Sequence, residues 1–404
     1  MTRKTLALAV AAAAAGNGYA APSADEMWQI IQQQQKEIQS LRQQVKQTGN
    51  RLEKTDVKVE ATAEALEARA GEGQGTAGWA SNTTIGGYGE LHYNHFEDRD
   101  DRVDAHRFVL FVGHQFSDTV RFFSEVELEH GFVEGGEDSG EVELEQAYIE
   151  WDFAEGHSVQ IGQFLLPVGL INETHEPDTF YGVERNRVEA QIIPATWWET
   201  GVKFSGEIVP GFSYAAAIHS GLNIPDNFSV RSGRQKSSNA DAEDLAFTGR
   251  LKYTGIAGLE VAASYQWQQD VTQGNTVGVE GGEGTLIEVH GKYQTGPLTL
   301  TALWAGWDID SDAFKAVGAD QQEGYYVEAS YLVTEKLGVF VRQSQYNTRA
   351  GDSNSTDSEY VDYGLNYWLQ PNVVLKADYT DELTDNTGTG GDSDAFNLGV
   401  GWSF

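Results

Sequence analysis

Residues 107–130 read RFVLFVGHQFSDTVRFFSEVELEH, and their period is two. Val120, Phe122, Val126 and Leu128 fall on one face, and Arg121, Glu125, Glu127 and Glu129 on the other. Successive side chains of a strand point to opposite sides, so this pattern sets one side against an apolar medium and the other against water. Ser117 and Asp118 interrupt the run with turn-forming residues, which makes the stretch two strands of a hairpin. The alternation returns at the end of the chain, where Phe396, Leu398, Val400, Trp402 and Phe404 alternate with Ala395, Asn397, Gly399, Gly401 and Ser403. It also runs through residues 259–267, 361–369 and 373–379.

Between residues 83 and 404 the connections alternate in length. Short turns fall near Ser117, Gly156, Gly211, Gly258, Gly296, Glu335 and Asn372. Longer polar loops separate them, together with one stretch over 163–196 that has no clean period. Seven turns and eight loops join sixteen strands. An even number of alternating strands with short and long connections in turn is the pattern of an antiparallel transmembrane β-barrel. Two soluble β-sandwiches would bury one face of each strand, but lipid demands closure without edges and so accounts for the whole pattern. Tyr88, Trp151, Trp197, Trp198, Trp267, Trp304, Trp307, Tyr331, Trp368 and Trp402 lie near strand ends, where amphipathic rings form girdles at the membrane surfaces.

Charge and composition exclude other classes. Acidic residues number 61 and basic residues 27, a net charge of −34, so no basic stripe exists for nucleic acid. The chain has no cysteine, which excludes thiolate metal and redox chemistry. No catalytic nucleophile motif is present, so we expect no enzyme. Asp308, Asp310 and Asp312 have calcium-loop spacing, but Ala313 and Ala319 stand where the loop needs Gly and Glu. His92 and His95 point to opposite faces of a strand and cannot form a zinc pair. No resident metal or cofactor is expected.

The first eighty residues differ. Arg3-Lys4, an apolar run over 6–15 and Gly18-Tyr19-Ala20 read as a signal peptide over 1–20. Within 21–70, Ile31, Ile38, Val45, Leu52, Val59 and Leu66 recur every seven residues, which predicts an N-terminal α-helical coiled coil. Its d positions, Met27, Gln34, Leu41, Thr48, Thr55 and Thr62, are mostly polar, so the stalk needs a partner chain and leaves dimer and trimer open. Residues 71–82 are a Gly-rich linker, and 83–404 the barrel.

The aperiodic stretch is too long and too apolar for a passive connection. We expect it to fold into the barrel as a constriction loop, with Glu173, Glu176, Asp178, Glu184, Arg185, Arg187 and Glu189 at the opening and the two arginines turned toward it. Strand phase puts Arg121, Lys203, Arg250, Lys252, Lys292, Arg342 and Lys376 on the lumen wall, interleaved with Glu125, Glu127, Glu129, Glu260, Glu288, Glu328 and Asp378. These could form a ladder for anions, but pairing of opposite signs along the wall is the expected arrangement for most.

Gly162-Gln163-Phe164, then Pro167-Val168-Gly169-Leu170, and the stretch quoted first resemble the phosphate-selective porin O/P family. The resemblance implies a trimeric sixteen-stranded outer-membrane porin whose third long loop narrows the pore, and transport of phosphate or other anions. Phe404 after GVGW resembles the terminal signal read by the barrel-assembly machinery. The expected surroundings are outer-membrane lipid and lipopolysaccharide, with the stalk in the periplasm. Alternatives are a cation-preferring general porin and a structural tether whose stalk binds peptidoglycan.

Overall fold

A computed structural model describes residues 80–131, 140–274, 281–353, 357–384 and 394–404. The expected signal peptide and heptad stalk, and the linker up to residue 79, lie outside the described residues.

Sixteen strands follow one another: β1 (Thr83–Phe96), β2 (Arg102–Ser117), β3 (Val120–Glu129), β4 (Val142–Ala154), β5 (His157–Leu165), β6 (Trp198–Val209), β7 (Phe212–His219) and β8 (Ala246–Tyr253). The second half is β9 (Leu259–Gln268), β10 (Glu283–Thr295), β11 (Leu298–Asp310), β12 (Gln321–Leu332), β13 (Leu337–Asn347), β14 (Ser358–Gln370), β15 (Val373–Glu382) and β16 (Ala395–Ser403). Each pairs antiparallel with the next, and β16 pairs with β1 from Ser403↔Tyr88 to Ala395↔Phe96. Phe404 completes the seam, exchanging backbone hydrogen bonds of 2.8 and 2.9 Å with Gly87. Among the described residues two short α-helices, α1 (Arg187–Gln191) and α2 (Asp312–Ala316), sit in loops.

The burial pattern inverts that of a soluble protein. Outward residues such as Val261, Ile287, Val327 and Val341 are 45–49% exposed, while inward Glu90, Glu288, Gln266 and Asn366 are buried. An apolar exterior around a polar interior is what lipid outside and water inside require.

Among the described residues six strand pairs carry a register shift, and two of these re-aim lumen residues. Between β1 and β2 the register passes from Glu90↔Arg107 to His92↔Asp104, so Leu91 opposes both Ala105 and His106. Consecutive His106 and Arg107 thereby both turn inward: one stacks on His92, the other bonds Glu90. Between β3 and β4 the register passes from Glu125↔Gln146 to Val126↔Leu144, which brings Glu145 inward beside Gln146. A bulge places an extra residue on one strand and re-aims its neighbours.

Residues 166–197, between β5 and β6, lie inside the barrel. Val188 and Ile192 of this loop join Trp307, Leu303 and Tyr326 of the β11–β12 wall in an apolar core, with Leu222, Ile224 and Phe314 from other loops. The aromatic girdle therefore needs correction. Trp151, Trp304 and Tyr331 are outward and exposed, but Tyr88, Trp197 and Trp307 are buried within, and Trp368 meets Tyr181 edge-on at 5.7 Å. A lumen filled by a folded loop needs aromatic surface of its own, and strand-end position alone does not separate the two uses.

Candidate functional site

The loop is closed at its neck by one side chain. Asn172 donates to the carbonyls of Leu166 and Trp197 at 2.8 and 2.9 Å, and its Oδ1 accepts from the Trp197 amide at 2.6 Å. Asn186 caps α1 by accepting from the amides of Val188 and Glu189. This turns Glu189 back into the loop, where its carboxylate accepts from Leu170 N–H, Ile171 N–H and Tyr326 O–H at 2.9, 2.7 and 2.7 Å. Glu189 is buried, and burial raises its pKa. It braces the loop and does not line an opening, contrary to the expectation from sequence.

The wall charges hold the loop by its backbone. Lys203 donates to Leu165 O (3.1 Å), Arg107 to His175 O (2.6 Å), Arg342 to Tyr181 O (2.8 Å) and Lys376 to Gly182 O (2.8 Å). Asp378 accepts from the Val183 amide at 2.6 Å. Lys376 also lies 3.6 Å from the centre of the Phe180 ring. Of the cations expected along the lumen wall, Arg342 and Lys376 are therefore clamps buried under the loop, while Lys203 is buried at the loop's root, on Leu165 O and 3.6 Å from Glu173. Buried charges need partners, and an unmet loop carbonyl needs a donor, so each satisfies the other. Arg121 pairs with Glu150 and Asp152, Arg250 with Glu173 at 2.5 Å, and Lys252 approaches Glu260 at 4.0 Å. Lys292 lines a cavity with Arg250 and Lys252.

Inward glycines mark where the loop touches the wall. A Cβ on Gly338 would meet the Tyr181 hydroxyl at 2.2 Å, and one on Gly401 would meet Pro177 at 2.5 Å. Glycine in a strand interior signals such close approach, so this feature was available from sequence.

The remaining loop charges divide by side. Glu173 sits between Arg250 and Lys203; burial raises its pKa, and the two cations more than reverse this. Asp178 accepts from Ser403 at 2.9 Å, and one buried oxygen of Glu176 has no hydrogen-bond partner. Glu184 is partly exposed; partial desolvation raises its pKa, but a 3.1 Å bond from His92 holds it at about 2. Arg187 lies over the Tyr360 ring at 4.2 Å and 3.6 Å from Asp362, so it is bound to the wall. Arg185 donates to Thr196 Oγ1 at 2.5 Å. Thr196 O also accepts from Arg234, while Arg231 donates to Ala190 O and Ala195 O at 2.7 Å each. Among the described residues no carboxylate lies within ion-pairing distance of Arg185, Arg231 or Arg234. Burial, with Arg234 and Arg185 nearby, lowers the Arg231 pKa to about 9, so it is charged at neutral pH. Arg231 and Arg234 lie in the β7–β8 loop, and sequence treats that loop only as a polar connection.

Two cavities flank the loop. On the short-turn side a cavity of about 900 Å³ includes Glu155, Gly156, Glu173, Lys203, Arg250 and Lys252. On the long-loop side one of about 820 Å³ includes Arg99, Asp101, Glu184, Arg185 and Arg187. The loop lies between these two cavities.

Residues 188–400 match the family model described as Gram-negative porin. The chain belongs to the Gram-negative porin family. An uncharacterized protein of Aquifex aeolicus (strain VF5) is 31% identical over 364 residues, covering 80% of each chain. Salmonella typhi OmpF, solved in complex with daunomycin, shares the fold at a TM-score of 0.58 and 17% identity, over 80% of this porin and 97% of that chain. An anion-selective porin from Comamonas acidovorans has a TM-score of 0.56 at 14% identity, over 80% and 99%. The porin is thus an outer-membrane channel protein.

His175 sets a pH dependence. It is buried on the loop with Nε2 3.4 Å from Glu145 and 3.7 Å from Glu125. Burial lowers its pKa, but the two carboxylates raise it to about 9. A pKa raised above its unfolded value stabilises docking fully below about 6.5, and the contribution is lost as pH rises through about 9. The upper bound is about 3 kcal/mol for that difference. Single-channel records should be quiet at pH 7 and gain flicker by pH 10, and the His175→Gln porin should flicker already at pH 7. A quiet His175→Gln channel at pH 7 means that this ion triad does not hold the loop.

Proposed function

We propose that this porin passes small hydrophilic solutes and ions by passive diffusion through a constriction with charge separated across it. The observation that carries this reading is the loop of residues 166–197, folded within a closed barrel between two cavities lined by charged residues. Arg185, Arg231 and Arg234 supply one side of the field. Glu129 of β3, close enough to act on both Arg231 and Arg234, supplies the other. Low-dielectric walls concentrate such a field. Planar-bilayer recording tests it. Purified porin should give discrete steps of conductance, and swelling of loaded liposomes should fall steeply with solute size. Sealed bilayers and unswollen liposomes would leave a structural anchor as the better account.

Preference for phosphate or other anions is a second reading, within the O/P family resemblance. It is favoured by three arginines with no carboxylate partner among the described residues and opposed by the use of Arg342 and Lys376 as clamps and by the pairing of Lys203 with Glu173. Reversal potentials in a salt gradient, with and without phosphate, separate the readings.

We further propose a homotrimer inserted in outer-membrane lipid with residues 21–70 as a periplasmic stalk. The apolar outer wall and the heptad repeat support it. Light scattering in mild detergent should report trimers, and Ile38→Asp with Val45→Asp should weaken the assembly while leaving the barrel folded. A monomeric full-length protein would remove this proposal.

A further inference from the structure

Asp104, His106 and His130 converge at the long-loop end of β2 and β3, away from the constriction. His130 Nδ1 lies 2.8 Å, and His106 Nδ1 3.2 Å, from the same oxygen, Asp104 Oδ2. The two imidazoles meet edge to face, with ring centres 5.4 Å apart at 82°. The fold builds this meeting. The β1–β2 bulge turns His106 inward with Asp104 two residues before it. Beyond the end of β3, the His130 amide bonds His106 O at 2.9 Å, fixing the two residues side by side. His130 then takes a left-handed backbone, φ +51°, followed by Gly131 at +53°. That conformation costs a residue with a side chain about 1–3 kcal/mol. Here it turns the imidazole back over Asp104.

We infer that Asp104, His106 and His130 bind a divalent transition-metal ion of the zinc type at the outer mouth of the pore. Ligands at ~2.0–2.1 Å around a tetrahedral Zn²⁺ stand roughly 3.3 Å apart. The observed 2.8 and 3.2 Å need to open only slightly when the ion replaces the protons shared between carboxylate and rings. Two imidazoles and one carboxylate select Zn²⁺, Co²⁺ or Ni²⁺ over Mg²⁺ and Ca²⁺, which prefer all-oxygen sites. Asp104 and His106 side chains are 25% and 24% exposed and His130 is 50% exposed, so water can complete the coordination. Of the other clusters, His92, His106 and Glu184 share His106 and adjoin this site, and the remaining two lack these properties. Glu125, Glu145 and His175 are closed off from solvent, and Lys236 already occupies the Glu141–Glu143 cluster.

The site also connects to the loop. His92 stacks on His106 at 4.4 Å and 16°, and bridges Glu90 and Glu184 at 3.2 and 3.1 Å. An ion bound here lies on the wall of the 820 Å³ cavity that leads to Arg185. It adds positive charge on that side and narrows the entrance.

The test uses full-length porin in detergent, stripped with chelator, with Co²⁺ as the probe. About one Co²⁺ per chain should bind and give a visible d–d band that Zn²⁺ abolishes and excess Mg²⁺ does not. The double variant His106→Gln, His130→Gln and the single Asp104→Asn should lose the band. His95→Gln should keep it, because His95 pairs with Asp101 at 2.7 Å elsewhere on the same rim. Gel migration before and after heating verifies that each variant is a folded barrel. In bilayers, Zn²⁺ added on the long-loop side should reduce wild-type current and leave the double variant's current unchanged. No Co²⁺ band in wild type, or a band equally strong in the double variant, overturns the inference.

Discussion

Removing residues 174–184 raises single-channel conductance several-fold. This segment crosses the lumen from the β3–β4 wall, where His175 sits between Glu125 and Glu145, to the β15 wall, where Lys376 and Asp378 hold Gly182 and Val183. It carries Phe180 and Tyr181, the latter packed on Phe340 with ring centres 5.5 Å apart. Its removal frees that volume for water. The barrel should survive, because its strand ladder is continuous without the loop and Asn172 still ties Leu166 to Trp197. Lys376 and Asp378 lose their loop partners but gain lumen water, so neither is left dry and unpaired. Heat-modifiable gel migration verifies folding, and bilayer steps give the conductance. A folded variant with wild-type steps would place the bottleneck elsewhere.

That segment also shows what the chain's linear pattern reveals. The strands were legible because lipid enforces a period of two on the outer face, and the turns because Gly, Asn and Asp mark them. The inward loop was legible from its length and apolar content. Its fastening was not. Arg342 and Lys376 reach carbonyls 161 and 194 residues away, and Asp378 reaches an amide 195 residues away, so no local spacing records them. Arg107 was hidden differently: the bulge at Leu91 slips the phase, and simple alternation cannot place His106 and Arg107 on one side. Arg231 and Arg234 stand in a polar loop whose path over the constriction only the closed barrel defines. The seven loop charges proposed from sequence accordingly separate into brace, ion pairs and cavity lining, and Arg187 is turned onto Tyr360 and Asp362.

Changing Arg185 and Arg234 to Glu moves the permeability ratio strongly toward cations. Both guanidiniums meet at Thr196, and Glu129 of β3 lies near enough to act on Arg234. The double change shifts local charge by four, next to a wall that is already acidic. Fixed charges in a narrow, low-dielectric passage act more strongly than on an open surface. The reversal potential in a KCl gradient centred near 0.1 M should therefore move toward the potassium value, and any phosphate block of chloride current should vanish. At 1 M the shift should shrink, because the screening length falls from ~10 Å to ~3 Å. Arg187→Glu is the comparison: that side chain is already paired with Asp362, so its replacement should move the potential less. Gln at 185 and 234 removes the charge with less disturbance to Thr196 and should give about half the shift. If the Glu variant inserts normally and keeps the wild-type potential at low salt, the arginines serve only to fasten residues 190–196, and the charge separation across the constriction does not govern ion passage.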